Sequence, residues 1–303
     1  MKNIRILVPV DFSELSYAAL ETANQLAILF EGTVTPIHIW VEPPRAEEYS
    51  YSVNLSYDVD YVEVGKELTQ KLNDVASDKI DQQLLKPVIV KKGMPASSIL
   101  SNAIDFDIIV MASKGLSGFQ RYLLGSVTEE VVKSSKIPVM IVKQKSLQKS
   151  LKKILVTTDF TDNSMAAFPT VMEFVKKTGA KLDLVHVASY DLYPMFGLNT
   201  ESYTDEIVER IQKRLKTLIS DHLSDIKEQV NPKVITTPKS AHESLAGFIE
   251  KNEYDLVVMS TMGTSGLRYL LLGSTTANVL RHSPSPILVV RPKAKEKSSE
   301  VHK

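Results

Sequence analysis

Two short stretches of this sequence carry residue types suited to holding an anion or a polar ligand, and each occurs twice. Asp11-Phe12-Ser13 recurs 148 positions on as Asp159-Phe160-Thr161. Met111-Ala112-Ser113-Lys114-Gly115-Leu116-Ser117-Gly118, followed by Gly125-Ser126, recurs as Met259-Ser260-Thr261-Met262-Gly263-Thr264-Ser265-Gly266, followed by Gly273-Ser274. Glycines let backbone amides approach an anion with no side chain in the way, and a helix starting after Gly125 or Gly273 adds N–H groups and partial positive charge. The same residues also have a purely structural account. In it Gly115 and Gly263 only turn the chain, while Ser126 caps a helix and Glu129 completes a capping box. A carboxylate such as Asp11 or Asp159 can likewise serve only the amides of the turn that follows it.

The elements that must position these residues repeat in the same register. The shift carries His38 to His186, Asp107 to Asp255 and Pro138 to Pro286. Each copy opens with a short aliphatic run, Ile4 to Val10 and Ile154 to Thr158, with the composition of a buried strand. Ser13 is a natural N-cap for a helix whose apolar residues, Leu15, Ala18, Ala19, Ala23, Leu26 and Ala27, recur at helical spacing. The pattern then predicts a strand over Val34 to Val41, a helix from about Asp60 to Leu84, a strand over Pro87 to Val90, and a short helix after Gly93-Met94-Pro95. A strand over Phe106 to Ala112, a helix after Gly125 and a closing strand over Val139 to Val142 complete the copy. The second copy repeats the order up to Ile287 to Val290. Strands alternating with helices imply parallel pairing through right-handed crossovers, so each copy is predicted to be a doubly wound α/β domain. The expected boundaries are 1–143 and 151–292, with a polar linker over 144–150 and a charged, disordered tail over 293–303.

Composition narrows the function. Lys plus Arg and Asp plus Glu both number 36, so no excess positive charge exists to hold nucleic acid or an anionic membrane. No cysteine is present, which excludes disulfides and thiolate metal sites and suits a cytoplasmic protein. The apolar run at the N-terminus is too short for a signal peptide, and no stretch approaches the ~18 apolar residues of a membrane span. The histidines show no metal-ligand spacing, and nucleophile-elbow, P-loop and dinucleotide-binding motifs are absent, so neither a metal nor a catalytic residue is expected. The segment Glu42 to Tyr61, with Tyr49, Tyr51, Tyr57 and Tyr61, reads either as a lid or as a surface connection packed on its own domain.

At the glycine loop the chain resembles a tandem universal stress protein, over nearly all of both copies. Nucleotide-binding members of that family carry Gly, two residues, Gly, nine residues, then Gly-Ser or Gly-Thr. Gly115 with Gly125-Ser126, and Gly263 with Gly273-Ser274, match the later part. Ala112 and Ser260 stand where the first glycine would be. The resemblance implies an adenine nucleotide alpha hydrolase-like fold with a five-stranded sheet in each copy, and ATP, with or without Mg²⁺, as ligand. It places Asp11 and Asp159 at the adenine, together with Ile39 and Val187, which follow the second-strand histidines. It also implies a pseudo-dimer of the two copies through Val139 to Val142 and Ile287 to Val290, and it leaves room for a homodimer and for a protein partner the sequence does not name. Function is thereby expected to be nucleotide-responsive binding. The alternatives are a family member that binds no nucleotide and works through protein contacts, and a slow ATPase. Lys114 is matched by Met262, so at this position of the loop the first copy carries a cation and the second does not.

Overall fold

The structure is a computed structural model that describes residues 1–42, 60–115, 124–143, 147, 150–189, 200–238, 240–261 and 272–292. Residues 43–59 of the lid candidate Glu42 to Tyr61, and the tail from 293, lie outside the described residues. In the first copy the elements are β1 (Arg5–Pro9), α1 (Glu14–Phe30), β2 (Thr33–Trp40), α2 (Tyr61–Lys79), β3 (Ile89–Lys92), α3 (Pro95–Asn102), β4 (Ile108–Ala112), α4 (Ser126–Ser134) and β5 (Val139–Val142). The second copy comprises β6 (Lys153–Thr157), α5 (Asp162–Met165), α6 (Phe168–Thr178), β7 (Lys181–Ser189), α7 (Thr200–His222), β8 (Val230–Thr237), α8 (Ala241–Asn252), β9 (Leu256–Ser260), α9 (Ser274–His282) and β10 (Ile287–Val290).

Within each half the strands are parallel, and the chain order of one half, β3-β2-β1-β4-β5, is repeated as β8-β7-β6-β9-β10. The two five-stranded sheets are continuous: β5 and β10 pair antiparallel, with Met140 opposite Leu288 and Val139 opposite Val289. All four residues of each strand are buried, as expected of strands covered on both faces.

Two cores follow from the two faces, and each runs through both copies. One gathers Ile6, Val8 and Met140 with Leu20 and Leu72 and, from the second copy, Phe168, Phe174 and Leu215. The other joins Leu7, Ile109 and Ile141 to Ile99, Val131, Leu245 and Val279. Phe30 of α1 meets Phe174 of α6 edge to face, centroids 4.9 Å apart, with both rings fully buried. Above this contact Lys177 pairs with Glu31 at 3.2 Å, and the terminal ammonium of Met1 pairs with Glu173. The predicted linker takes part as well: Leu147 is buried, and its N–H donates to Thr22 Oγ1 at 3.0 Å.

Several boundaries differ from the sequence expectation, each for a local reason. α2 stops at Lys79 rather than near Leu84, because Ile80 turns extended into the core and the Asp81 N–H is taken by Asn24 Oδ1 at 3.1 Å. β3 lies two residues later than expected, since Lys91 and Lys92 continue the ladder opposite Ile39 and Trp40. Their cationic side chains suit the edge of a sheet, where charge discourages further pairing. In the second copy the helix equivalent to α1 is divided into α5 and α6, with Pro169 in the first turn of α6. Proline there has no N–H to give and its ring excludes a continuous helix.

A common core predicts cooperative unfolding. Phe30→Ala should cost about 3–5 kcal/mol and lower one transition shared by both copies in calorimetry. Two separate transitions, with only the first displaced, would show that the copies unfold independently.

Candidate functional site

The end of β1 shows how the sequence sets the first wall of the site. Asp11 Oδ1 accepts from the Ser13 N–H at 3.1 Å and the Ser13 hydroxyl at 2.6 Å, while Phe12 between them takes a left-handed φ of 65°. The second copy repeats this turn, with Asp159 Oδ1 accepting from the Thr161 N–H at 3.0 Å and Phe160 at φ 64°. One carboxylate oxygen therefore does serve the following turn. Ser13 acts as the N-cap of α1, its side chain accepting from the Ser16 N–H.

The left-handed residue turns its ring onto a histidine. Phe12 lies 4.6 Å from the His38 ring, and Phe160 lies 4.5 Å from His186. A carbonyl can only accept, so Nδ1–H of each imidazole donates: His38 to Val10 C=O at 2.7 Å, His186 to Thr158 C=O at 2.8 Å. Burial pushes the His186 imidazole below its usual range, favouring the neutral ring. These histidines tie the tops of the first two strands of each copy together. Among the described residues no cluster of three His, Asp or Glu side chains is placed to hold a metal ion.

The opposite wall is the loop between β4 and α4. Its base is closed by the Gly125 N–H donating to Ser113 C=O at 2.8 Å, and by Thr128 Oγ1 donating to Ala112 C=O at 2.9 Å. The second copy has the same two bonds, Gly273 to Thr261 at 2.9 Å and Thr276 to Ser260 at 2.8 Å. The capping-box account fails here. Gly125 occupies the N-cap position and has no side chain with which to cap the helix, and the Glu129 carboxylate pairs with Lys133 at 2.6 Å instead of reaching back. Gly273 is likewise the N-cap of α9, without a side-chain cap. Both helices thus begin on a glycine, which has no side chain of its own to cover the first amides.

Gly115 joins the two walls. A Cβ placed on it would fall 2.2 Å from Asp11 Oδ2, so the glycine permits the carboxylate to lie against the loop backbone. The requirement is for space.

A cavity of about 350 Å³ opens between the walls, within the ~300–1,000 Å³ usual for small-molecule sites. Asp11, Ile39, Ala112, Gly115, Gly125 and Ser126, which come from three separate segments, all line it, and Lys114 adds its cationic side chain. It lies at the carboxyl ends of β1 and β4, where the strand order reverses and ligands of such sheets are held. Sequence reasoning missed Ile37, Pro95 and Ile99, which supply an apolar side. Ile37 was within reach, since it stands two residues before Ile39 on the same face of β2. Pro95 and Ile99 belong to α3, and nothing in their spacing foretells which strand end that helix flanks.

In the second copy Asp159, Val187, Ser260, Gly273 and Ser274 occupy the corresponding strand ends and helix start. Gly263 lies outside the described residues.

A doubly wound α/β domain present twice, its sheets joined edge to edge and its strand ends bearing an aspartate and a glycine loop, defines a tandem of one α/β fold. The model of the universal stress protein family matches residues 3–143 and 150–291, and the chain belongs to that family. It is similar to universal stress protein Slr1230 of Synechocystis, with 25% identity over 96% of this chain and all of that one. Universal stress protein MJ0577 of Methanocaldococcus jannaschii is 33% identical over 47% of this chain and 96% of its own length. A solved universal stress protein from Archaeoglobus fulgidus covers 97% of this chain and 98% of its own at 25% identity, with a TM-score of 0.65. Another universal stress protein, 21% identical over 47% of this chain and 98% of its own, has been solved in complex with cAMP, with a TM-score of 0.34.

The contact between Gly115 and Asp11 yields a measurable coupling. Gly115→Ala should cost about 1–3 kcal/mol by overpacking. In a double-mutant cycle Asp11→Ala should relieve most of that cost, giving an interaction energy of about 1 kcal/mol or more from denaturant unfolding. Additive effects would mean that the carboxylate is not what the glycine accommodates.

Proposed function

We propose that the protein binds ATP in the first-copy cavity and acts as a nucleotide-responsive binding module of the stress response, with no substrate turned over at a useful rate. One observation carries this: residues singled out from three distant segments line a single cavity at the strand-order reversal, with a helix N-terminus that starts on a glycine and with Lys114 in its lining. The two ends of the cavity differ in a way that suits a nucleotide. Ile37, Ile39 and Ile99 offer an apolar slot for a flat base beside the Asp11 carboxylate, which can accept from its amino group. Gly115, Gly125 and Ser126, with Lys114, provide backbone amides, a hydroxyl and a positive charge suited to phosphates. Mg²⁺, where present, would come with the nucleotide's own phosphates. The Asp159 and Gly273-Ser274 positions are the equivalent candidates in the second copy, where Met262 supplies no charge.

Ala112 favours the second reading, a family member working through protein contacts alone. Its methyl group occupies the cavity wall at the position where nucleotide-binding members have glycine.

Mass spectrometry of freshly purified, acid-denatured protein, together with thermal melts, separates the two. Mg²⁺-ATP at 100 times its dissociation constant should stabilise the folded protein by roughly 2.7 kcal/mol, with GTP doing less. Lys114→Met should weaken ATP about tenfold while leaving adenosine nearly unchanged, in line with loss of one charge-assisted contact. No co-purified nucleotide and no shift with millimolar ATP would hand the case to protein contacts.

A further inference from the structure

The cation that follows each central strand reaches into the other copy. Lys143, directly after β5, is 7% exposed, and its ammonium donates to the C=O of Leu280 in the last turn of α9. Arg291, directly after β10, donates through its guanidinium to the C=O of Lys133 in the last turn of α4. The two cations occupy equivalent positions of the repeat, and their acceptors differ by one residue. Antiparallel pairing of β5 and β10 explains the exchange: the carboxyl end of either strand stands beside the amino end of the other, where the other copy's last helix finishes.

Both carbonyls need such a donor. Leu280 C=O has no partner four residues on, because position 284 is proline, and the Ile137 N–H that would serve Lys133 goes instead to Ser135 Oγ at 3.2 Å. A buried helix end without donors is costly, and a cation there also complements the helix dipole.

Each bridged helix begins at a candidate site. α4 starts at the first-copy cavity and ends under Arg291, and α9 starts at the second-copy strand ends and ends under Lys143. Lys143 is also tied directly to the first cavity. Val142 pairs with Ala112, the Ser113 N–H donates to Val142 C=O at 2.9 Å, and the charge of Lys114 bears on Lys143. Burial first, and then Lys114, push the Lys143 ammonium down to about 8, so of the two cations it is the one held with little margin. Other charges at these helix ends come from Glu129 and Lys133, paired with each other, and from Arg281 and His282.

We propose that Lys143 and Arg291 form a reciprocal cross-copy clamp that couples occupancy of the first-copy cavity to the tightness of the β5–β10 seam. Phosphate placed at Lys114 offsets the charge that opposes the Lys143 ammonium, and at the start of α4 it polarises the helix whose far end holds Arg291. The proposal rests on the nucleotide reading in one respect: the cavity must take an anion.

The test uses the full chain and hydrogen exchange of β5 and β10 amides, with and without Mg²⁺-ATP, alongside a direct measurement of ATP binding by calorimetry. The expected result is about fivefold or greater slowing of seam exchange by ATP in the wild type, absent in Lys143→Met and retained in Lys143→Arg. By reciprocity Lys143→Met should bind ATP more weakly by a similar factor. ATP that binds without changing seam exchange in the wild type, or that tightens the seam equally in Lys143→Met, overturns the clamp and leaves nucleotide binding intact. An absence of ATP binding in calorimetry overturns the nucleotide reading and this coupling with it.

Discussion

The antiparallel pairing of β5 with β10 is the contact on which the rest of this molecule depends. Each is a four-residue apolar strand with no polar face to turn to water, and alone each would be an unpaired edge. Joined, they make ten strands continuous and allow two cores to run the full width of the sheet. Phe30 and Phe174, from different copies, are buried by each other for that reason. The tandem chain makes permanent, through a tether whose Leu147 is itself in the core, an arrangement that separate copies would have to find by diffusion.

The same pairing dictates where chemistry can occur. Parallel strands within a half put all their carboxyl ends together, and antiparallel strands at the seam turn the two halves to opposite edges of the sheet. The candidate sites therefore cannot share a ligand. Any communication between them must pass through the seam, and α4 and α9 cross that distance in a few turns each. What makes each helix a two-ended element is chemistry at both termini: an N-cap glycine without a capping side chain, and a C-terminal carbonyl whose donor is a cation from the other copy.

Much of this was legible in the sequence because it is local or periodic. β5 and β10 are readable to the residue, since each is an unbroken aliphatic run between a proline and a cation. The Asp11 turn and the glycine spacing were also visible, and six chosen residues converge on one cavity. What could not be read depends on partners far away in the chain. The end of α2 is set by Asn24, 57 residues before the amide it accepts from, and Leu84 continues the helical spacing that misleads. Ser126 and Glu129 have the capping-box pattern, but Lys133 takes the carboxylate. Lys143 and Arg291 look like ordinary charged strand ends until the antiparallel seam places them under foreign helices.

Symmetry of the scaffold has not imposed symmetry on its contents. The first turn, the histidine tie and the loop base agree between copies to within tenths of an ångström in their hydrogen bonds. The differences lie elsewhere. Asp183 is buried on β7, where it accepts from Tyr254 at 2.6 Å and Asn231 at 2.9 Å, a network the first copy replaces with Thr35 and Phe106. The helix after β6 is broken where α1 is whole. Lys114 and Met262 give the two loops different charge. Those divergences leave the seam strands and the turn geometry untouched, because a change there would disturb both cores at once. A fused pair can thus let its two halves diverge at helices and strand ends while the strands at its centre stay apolar.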